Sequence, residues 1–293
     1  MRAAVIINPI AGIQLPGDTP DKRIALAKRV LARHGVDGVV SVTERAGHAH
    51  QLAREAVEAG VQLVVAWGGD GTVNEIAGVL ICRQAALGIV PAGSGNGLAR
   101  GLGIPIRPAE ALHRALAGSE RSIDVGELGG QWFFNLAGMG FDAAIAERFN
   151  RQGQTRGLLA YVQFIAPRFL SHQAVPCVLE ADGERLDLSV LMVTIANCRE
   201  FGGHAVIAPH ASPDDGRLDL VAIPDRSAVD RLGLIPHVFA GTLHRVRDVL
   251  MRRVTRVRIA FDRPMVFHVD GEPHDGAPIL EARIHPAALT VRC

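Results

Sequence analysis

Charge of one sign is what this chain lacks most plainly. Its 31 Lys and Arg stand against 30 Asp and Glu, a formal net charge of +1, and such a balance makes no case for a nucleic-acid partner. Cysteine is scarce and scattered: Cys82, Cys177, Cys198 and Cys293 show no metal-ligand spacing, which fits a reducing compartment. No uninterrupted apolar run approaches ~18 residues, so no transmembrane segment is expected. The stretch from Met1 to Pro9 is too short for a signal peptide and reads as a first strand. These absences point to a cytoplasmic protein, soluble or peripheral at the inner membrane face. With 293 residues, 48% of them hydrophobic, the chain can build one large or two modest domains.

What is present centres on residues 61–75. An apolar run, Val61 to Trp67, reads as a buried strand and passes at once into Gly68-Gly69-Asp70-Gly71-Thr72, then Val73-Asn74-Glu75 at the start of a helical pattern. Glycines at such a handover let bare N–H groups face an anion, and an aspartate among them suits a metal ion that accompanies phosphate. The alternative is an ordinary strand-to-helix turn. A second loop, Pro91-Ala92-Gly93-Ser94-Gly95-Asn96-Gly97, comes after strand Leu87 to Val90 and repeats the chemistry. Neither loop fits a familiar phosphate motif. There is no G-x-x-x-x-G-K-[ST], and Arg100 stands where a dinucleotide fingerprint needs glycine or alanine. Arg100 suits a cation beside a phosphate or a solvated helix face equally well.

Before these loops, Ala3 to Ile7 is a strand ended by Asn8-Pro9-Ile10-Ala11-Gly12. Thr19-Pro20 opens a helix that Gly35 closes, and Val39 to Val42 is a strand leading through Thr43 into helix His48 to Ala59. Strands alternating with helices at this spacing predict a parallel sheet with helices on both faces. Ligands of such sheets sit beyond the carboxyl ends of the strands, where residues 8–12, Thr43, residues 68–74 and 93–96 all fall.

Past helix Ala109 to Ala117 the period changes. Hairpins are expected around Gly129-Gly130 and Asp182-Gly183, with further strands at Val190–Ala196, Leu218–Ile223, Arg256–Phe261, Met265–Val269 and Ile279–Ile284. Helices are expected at Phe141–Phe149 and Leu158–Phe169. The fold class is therefore α/β, with residues 1–125 a Rossmann-like parallel-sheet domain and 126–293 an antiparallel β domain; Leu289-Thr290-Val291 can pair with either. Leu232 to Val254 mixes apolar residues with Arg245, Arg247, Arg252 and Arg253. A basic amphipathic helix on an anionic membrane is one reading, and a surface helix packed on the β domain is the simpler one.

Two stretches of this half can carry chemistry. Ser212-Pro213-Asp214-Asp215-Gly216-Arg217 is a polar turn able to offer a carboxylate and backbone carbonyls to a hard cation. Val269-Asp270-Gly271-Glu272-Pro273 sets two carboxylates two positions apart after an apolar strand. A strand would put both on one face, with one available as general base. Asp182-Gly183-Glu184 is the same tripeptide in a hairpin, so the bland reading stands beside the catalytic one.

Taken in order, Asn8-Pro9-x-x-Gly12, Gly68-Gly69-Asp70-Gly71-Thr72 with Asn74-Glu75, Pro91-x-Gly93-Ser94-Gly95-Asn96, Asn135 to Asp142, Pro213 to Asp219 and Val269 to Pro273 resemble the diacylglycerol kinase catalytic family. That family includes sphingosine kinases and bacterial YegS-type lipid kinases. The resemblance implies a nucleotide domain, a C-terminal β-sandwich, and an ATP-dependent, Mg²⁺-assisted transfer of phosphate to a lipid hydroxyl at a membrane surface, with a homodimer compatible. It implies that Asn8, Pro9, Gly12, Thr43, Gly68, Gly69, Asp70, Gly71, Thr72, Asn74 and Ser94 line the ATP site and that Asp70 is needed for turnover; Arg100, read from its own position, is expected as the cation beside the phosphates. Asp215, with the carbonyls of Ser212 and Arg217, would hold Mg²⁺, and Glu272 would take the proton with Asp270 in support. Gly97 stands where many diacylglycerol kinases have aspartate, a form closer to sphingosine kinases. NAD kinases share the Gly-Gly-Asp-Gly signature, but the Asp-Gly-Glu-Pro and Pro-Asp-Asp-Gly stretches speak against that reading. A catalytically silent nucleotide- or lipid-binding module is the non-enzymatic alternative.

Overall fold

The structure, a computed structural model, describes residues 1–12, 19–152, 166–202 and 204–293. They form two compact units, Met1–Ile123 with Ala287–Cys293, and Asp124–Pro286.

In the first unit, β1 (Arg2–Ile7), β2 (Asp37–Val42), β3 (Leu63–Gly68) and β4 (Ala86–Pro91) pair in the order β2-β1-β3-β4, all parallel. Every position of β3 and β4 is buried, as near-continuous apolar runs require. The helices are α1 (Pro20–Arg33), α2 (His48–Glu58), α3 (Asp70–Leu80), α4 (Gly97–Gly101) and α5 (Pro108–Ala117). Thr19 caps α1, its hydroxyl accepting the Lys22 N–H at 3.4 Å, with Pro20 in the first turn. The chain's last residues join this sheet: Val291 lies parallel to Leu87 of β4.

The second unit is antiparallel. It contains β5 (Glu120–Leu128, from Asp124), β6 (Gln131–Phe133), β7 (Leu136–Gly140), α6 (Phe141–Gln152), α7 (Ala166–Ser171), β8 (Val175–Ala181) and β9 (Glu184–Ala196). After these come β10 (Leu218–Pro224), α8 (Ala228–Ala240), β11 (Leu250–Val254), β12 (Arg256–Phe261), β13 (Phe267–Val269), β14 (Glu272–His274) and β15 (Ile279–Arg292, to Pro286). The strand order is β14-β13-β7-β9-β8-β12-β15, with β10 between β9 and β11. One apolar cluster gathers Phe133, Met139, Leu179, Val193, Ile259 and Phe267; another gathers Phe141, Leu191, Val221, Ile223 and Leu234.

Several expectations need correction here. Residues 184–188 and 190–196 are one strand, because Ser189 stays in register opposite Pro176 of β8. Leu136–Gly140 is a strand that its three small residues concealed. Within the mixed segment the α-helix, which begins at Ala228, ends at Ala240, a 3₁₀ turn covers Leu243–Arg245, and Arg252 and Arg253 belong to β11, paired with Leu220 and Asp219 of β10. Of the expected helix Leu158–Phe169, residues 158–165 lie outside the described residues, and Ala166–Ser171 is helical.

Candidate active site

At the carboxyl edge of the parallel sheet, three loops are tied to one another by backbone groups. β1 ends at Ile7; the Asn8 N–H donates to the Trp67 carbonyl, and its Nδ2 donates to the Thr72 hydroxyl at 2.9 Å. The Asn8 loop is thus fastened to the Gly68–Thr72 turn. Gly12 has φ +85°, and a Cβ there would lie 2.0 Å from the Ala92 carbonyl oxygen, so the Asn8–Gly12 loop is pressed against the second glycine loop. The two glycine loops also meet directly: a Cβ on Gly93 would lie 2.7 Å from the Gly69 Cα.

Asp70 is the junction. Its Oδ2 accepts the Asn96 N–H at 2.8 Å and its Oδ1 accepts the Gly97 N–H at 2.7 Å. The carboxylate that glycine-rich surroundings marked for a metal ion therefore holds the second loop onto the start of α3. Asn96, buried and at φ +52°, completes the loop, accepting the Gly93 N–H and donating to the Gly93 carbonyl. Arg100 braces it through Nε on the Gly95 carbonyl at 3.0 Å. Thr43 is buried, with its N–H on the Ile7 carbonyl, and Ser94 is exposed. Gly69 caps α3 and Gly71 lies in its first turn, where N–H groups favour an anion, and Asn74 follows in the next turn. Arg23 of α1 escaped notice in the sequence because a helical arginine reads as a solvated face. It is buried, and its guanidinium donates to the Asn8 and Ala11 carbonyls.

In the second unit the two carboxylates of Asp270-Gly271-Glu272 do not share a strand face. Val269 pairs with Glu272, and Asp270-Gly271 is a two-residue turn with φ +49° and +88°. Asp182-Gly183 has the same backbone, +49° and +85°. Both are the left-handed pair that tight hairpins demand. The difference lies in what the aspartate meets. Asp270 Oδ1 accepts the N–H groups of Asn135 and Leu136 at 2.9 and 3.1 Å, and Oδ2 accepts that of Phe134 at 3.0 Å. Glu272, on the other side of the turn, is exposed. Burial holds the neighbouring His274 imidazole below its usual range, opposed by the charge of Glu272.

A buried pair supports this turn from beneath. His268 Nδ1 accepts the Gly271 N–H at 3.3 Å, while Nε2 lies 3.4 Å from Asp142 Oδ2, which also accepts the Thr194 hydroxyl at 3.0 Å. A Cβ on Gly138 would fall 1.9 Å from Asp142 Oδ2, so glycine there makes room for the carboxylate. Neither Asp142 nor His268 carries a local signal beyond its place in a motif.

The 212–217 turn is anchored by another residue the sequence left unmarked. Buried Asp124 accepts the Gly216 N–H at 2.7 Å and donates its own N–H to the Pro213 carbonyl. Asn197 Nδ2 then joins the Asp124 and Phe134 carbonyls, linking this turn to the segment that Asp270 holds. Asp215 Oδ1 accepts the Arg217 N–H at 3.0 Å, and its Oδ2 pairs with Arg253. No three His, Cys, Asp or Glu side chains cluster as metal ligands among the described residues. The donors still suit a hard cation. Asp219 Oδ2 is buried without a hydrogen-bond partner among the described residues, and burial pushes that carboxyl up to about 6, with the Asp215 charge adding to the shift against Arg253. One or two carboxylates with water and substrate phosphate oxygens are the common magnesium environment.

Removing the Asp270 acceptor should destabilise the unit. Asp270→Ala leaves three backbone donors at buried residues, each unsatisfied donor costing about 1–3 kcal/mol, against a total stability of about 5–15 kcal/mol. A thermal melt followed by circular dichroism should show a large drop in midpoint, smaller for Asp270→Asn; an unchanged midpoint contradicts the anchoring role.

Comparison with known proteins decides the family. Residues 2–128 match the diacylglycerol kinase catalytic domain, and residues 135–293 match the YegS C-terminal NAD kinase beta sandwich-like domain. A probable lipid kinase YegS-like protein of Pseudomonas fluorescens is 34% identical over 260 residues, 88% of this chain and 86% of its own. The chain belongs to the diacylglycerol kinase catalytic family. A diacylglycerol kinase of Mycobacterium tuberculosis is 31% identical over 299 residues, covering 99% of this chain and 94% of that one. The crystal structure of a diacylglycerol kinase from Bacillus anthracis superposes with a TM-score of 0.78 at 21% identity, over 99% and 96% of the two chains, and so shares the fold. Membership makes this chain an ATP-dependent lipid kinase. No helix among the described residues is long and apolar enough to cross a membrane.

Proposed function

We propose that this kinase transfers the γ-phosphoryl group of ATP to the hydroxyl of a diacylglycerol-like or sphingoid lipid at a membrane surface, with Glu272 as general base. The observation that carries this reading is the Asp270 turn. With Asp270 turned onto three backbone N–H groups, Glu272 is the exposed acid of the pair, and it sits on a hairpin held by His268 and Asp142. In the transfer, the lipid O–H proton passes to a Glu272 carboxylate oxygen. The lipid oxygen forms the new bond to phosphorus, and the bond from phosphorus to the oxygen it shares with ADP breaks.

The residues around Asn8–Gly12, Thr43, Gly68–Asn74 and Ser94 would hold ATP. Their support is the close backbone approach of the loops and the N–H groups opening α3. Arg100 serves these loops through its hold on Gly95, and Asp70 through its hold on the N–H groups of Asn96 and Gly97. Asp215, with the carbonyls of Ser212 and Arg217, would hold Mg²⁺, which supplies positive charge to the triphosphate oxygens.

The test is thin-layer separation of products from labelled ATP with diacylglycerol, phosphatidylglycerol, sphingosine, polyprenol and, as a competing acceptor, NAD. Label entering a lipid is the expected result; label entering NAD alone would overturn it. EDTA is expected to stop the transfer and excess Mg²⁺ to restore it. Asp215→Asn is expected to raise the Mg²⁺ concentration for half-maximal rate about tenfold, the scale of a lost metal-site partner. A rate indifferent to EDTA removes the metal from the proposal.

A further inference from the structure

Helix α8 turns apolar residues both inward and outward. Arg231 and Leu234 are buried, whereas Val229 is 77% exposed and Leu232 48% exposed. At 100° per residue, Val229, Leu232, Gly233, Pro236 and Ala240 fall within one arc of about 100°, opposite Arg231 and Leu234. All five are exposed, and none carries a charge. A soluble surface helix ordinarily places its charges on that side. Here the polar side chains are used within the fold. Asp230 Oδ2 accepts the Ser227 hydroxyl at 2.6 Å, closing the N-terminal cap, and His237 Nδ1 lies 2.8 Å from the Thr242 hydroxyl. Arg231, the one arginine, points inward and donates to the Phe169, Leu170, His172 and Arg226 carbonyls and to Asp225.

Basic residues come directly after the helix. A 3₁₀ turn, Leu243–Arg245, packs on α8, and Arg245 and Arg247 are exposed with no ion-pair partner among the described residues.

We propose that the outward face of α8, with Arg245 and Arg247 beside it, is a docking surface for a bilayer containing anionic phospholipid. An uncharged helical face set beside cations is the combination that lets a helix lie in the headgroup region, since apolar contact and attraction to anionic lipid add. A second copy of the chain is the poorer occupant, because it brings the same two guanidinium groups and like charge meets like. The inference rests on the lipid-kinase reading above for its biological purpose, while its test does not depend on turnover.

The test is sedimentation of the full chain with phosphatidylcholine vesicles, with and without phosphatidylglycerol. The chain is expected to bind the anionic vesicles. Val229→Glu with Leu232→Glu is expected to lower partitioning about tenfold or more, as two apolar contacts with the interface are lost. Turnover of soluble dioctanoylglycerol should be unchanged. Arg245→Gln with Arg247→Gln lies outside the helix, and is expected to remove the preference for phosphatidylglycerol even if the first variant does not fold. Absence of wild-type binding, or binding unaffected by both variants, overturns the proposal. So does gel filtration in which the glutamate pair splits a dimer while vesicle binding persists. Vesicle binding through this face without phosphorylation of any lipid sinks the functional reading and leaves the docking surface standing.

Discussion

Glu272→Gln is expected to lower turnover by about 10²–10⁴-fold, the usual contribution of a positioned general base, while leaving the fold and ATP binding intact. The substitution keeps the size of the side chain and removes its ability to take a proton. Glu272 is exposed, and Asp270 and His268 fix the turn that carries it. The melting temperature of the variant should therefore match the parent within error. Steady-state assays on a lipid acceptor, beside a melt and an ATP titration, separate the effects. Near-normal turnover would remove the base assignment, and a loss of ATP affinity would show that Glu272 acts in nucleotide binding instead.

Asp70→Asn is the second large effect. Both carboxylate oxygens of Asp70 accept backbone N–H groups, one from Asn96 and one from Gly97. An asparagine offers one acceptor oxygen and turns an NH₂ group toward the other N–H, so donor faces donor. Leaving a buried donor unsatisfied costs about 1–3 kcal/mol, and the strain falls on the contact between the two glycine loops. The second loop should shift, and a displacement of about 1 Å in a substrate-holding group can cost about 10²-fold in rate. We expect a loss of at least that size, with weaker ATP binding in calorimetry. If turnover falls while ATP affinity and loop geometry in a crystal structure are unchanged, Asp70 acts on the reaction directly and not through the loop.

The two predictions concern residues that were legible to different degrees. Gly68-Gly69-Asp70-Gly71 stood out because glycine has few other reasons to gather where a buried strand meets a helix. Its place at the end of β3 was readable from Val61–Trp67 alone. The role of Asp70 was not, since its partners lie 26 and 27 residues away. Asp270 and Glu272 were visible as a pair, yet the expectation of one strand face was wrong. A two-residue turn with positive φ reverses the chain, and Asp-Gly favours that turn over an extended strand. Arg23, Asp124, Asn197 and His268 gave no local signal, because a polar residue on a helix or strand looks the same whether it meets water or a buried carbonyl.

By itself the chain determined the alternation of strand and helix up to Ala117, the antiparallel character of the later strands, and the glycine loops, because each depends on residues a few positions apart. Periodicity, caps and the freedom of glycine are short-range properties. The tertiary structure alone decided that Asp182 and Asp270, in identical tripeptides with matching backbones, have different surroundings. Only Asp270 meets the N–H groups of residues 134–136, which lie 134 to 136 positions away along the chain. A hydrogen bond of that span depends on where β7 and β13 pair, and pairing over such distances is set by the packing of the whole unit.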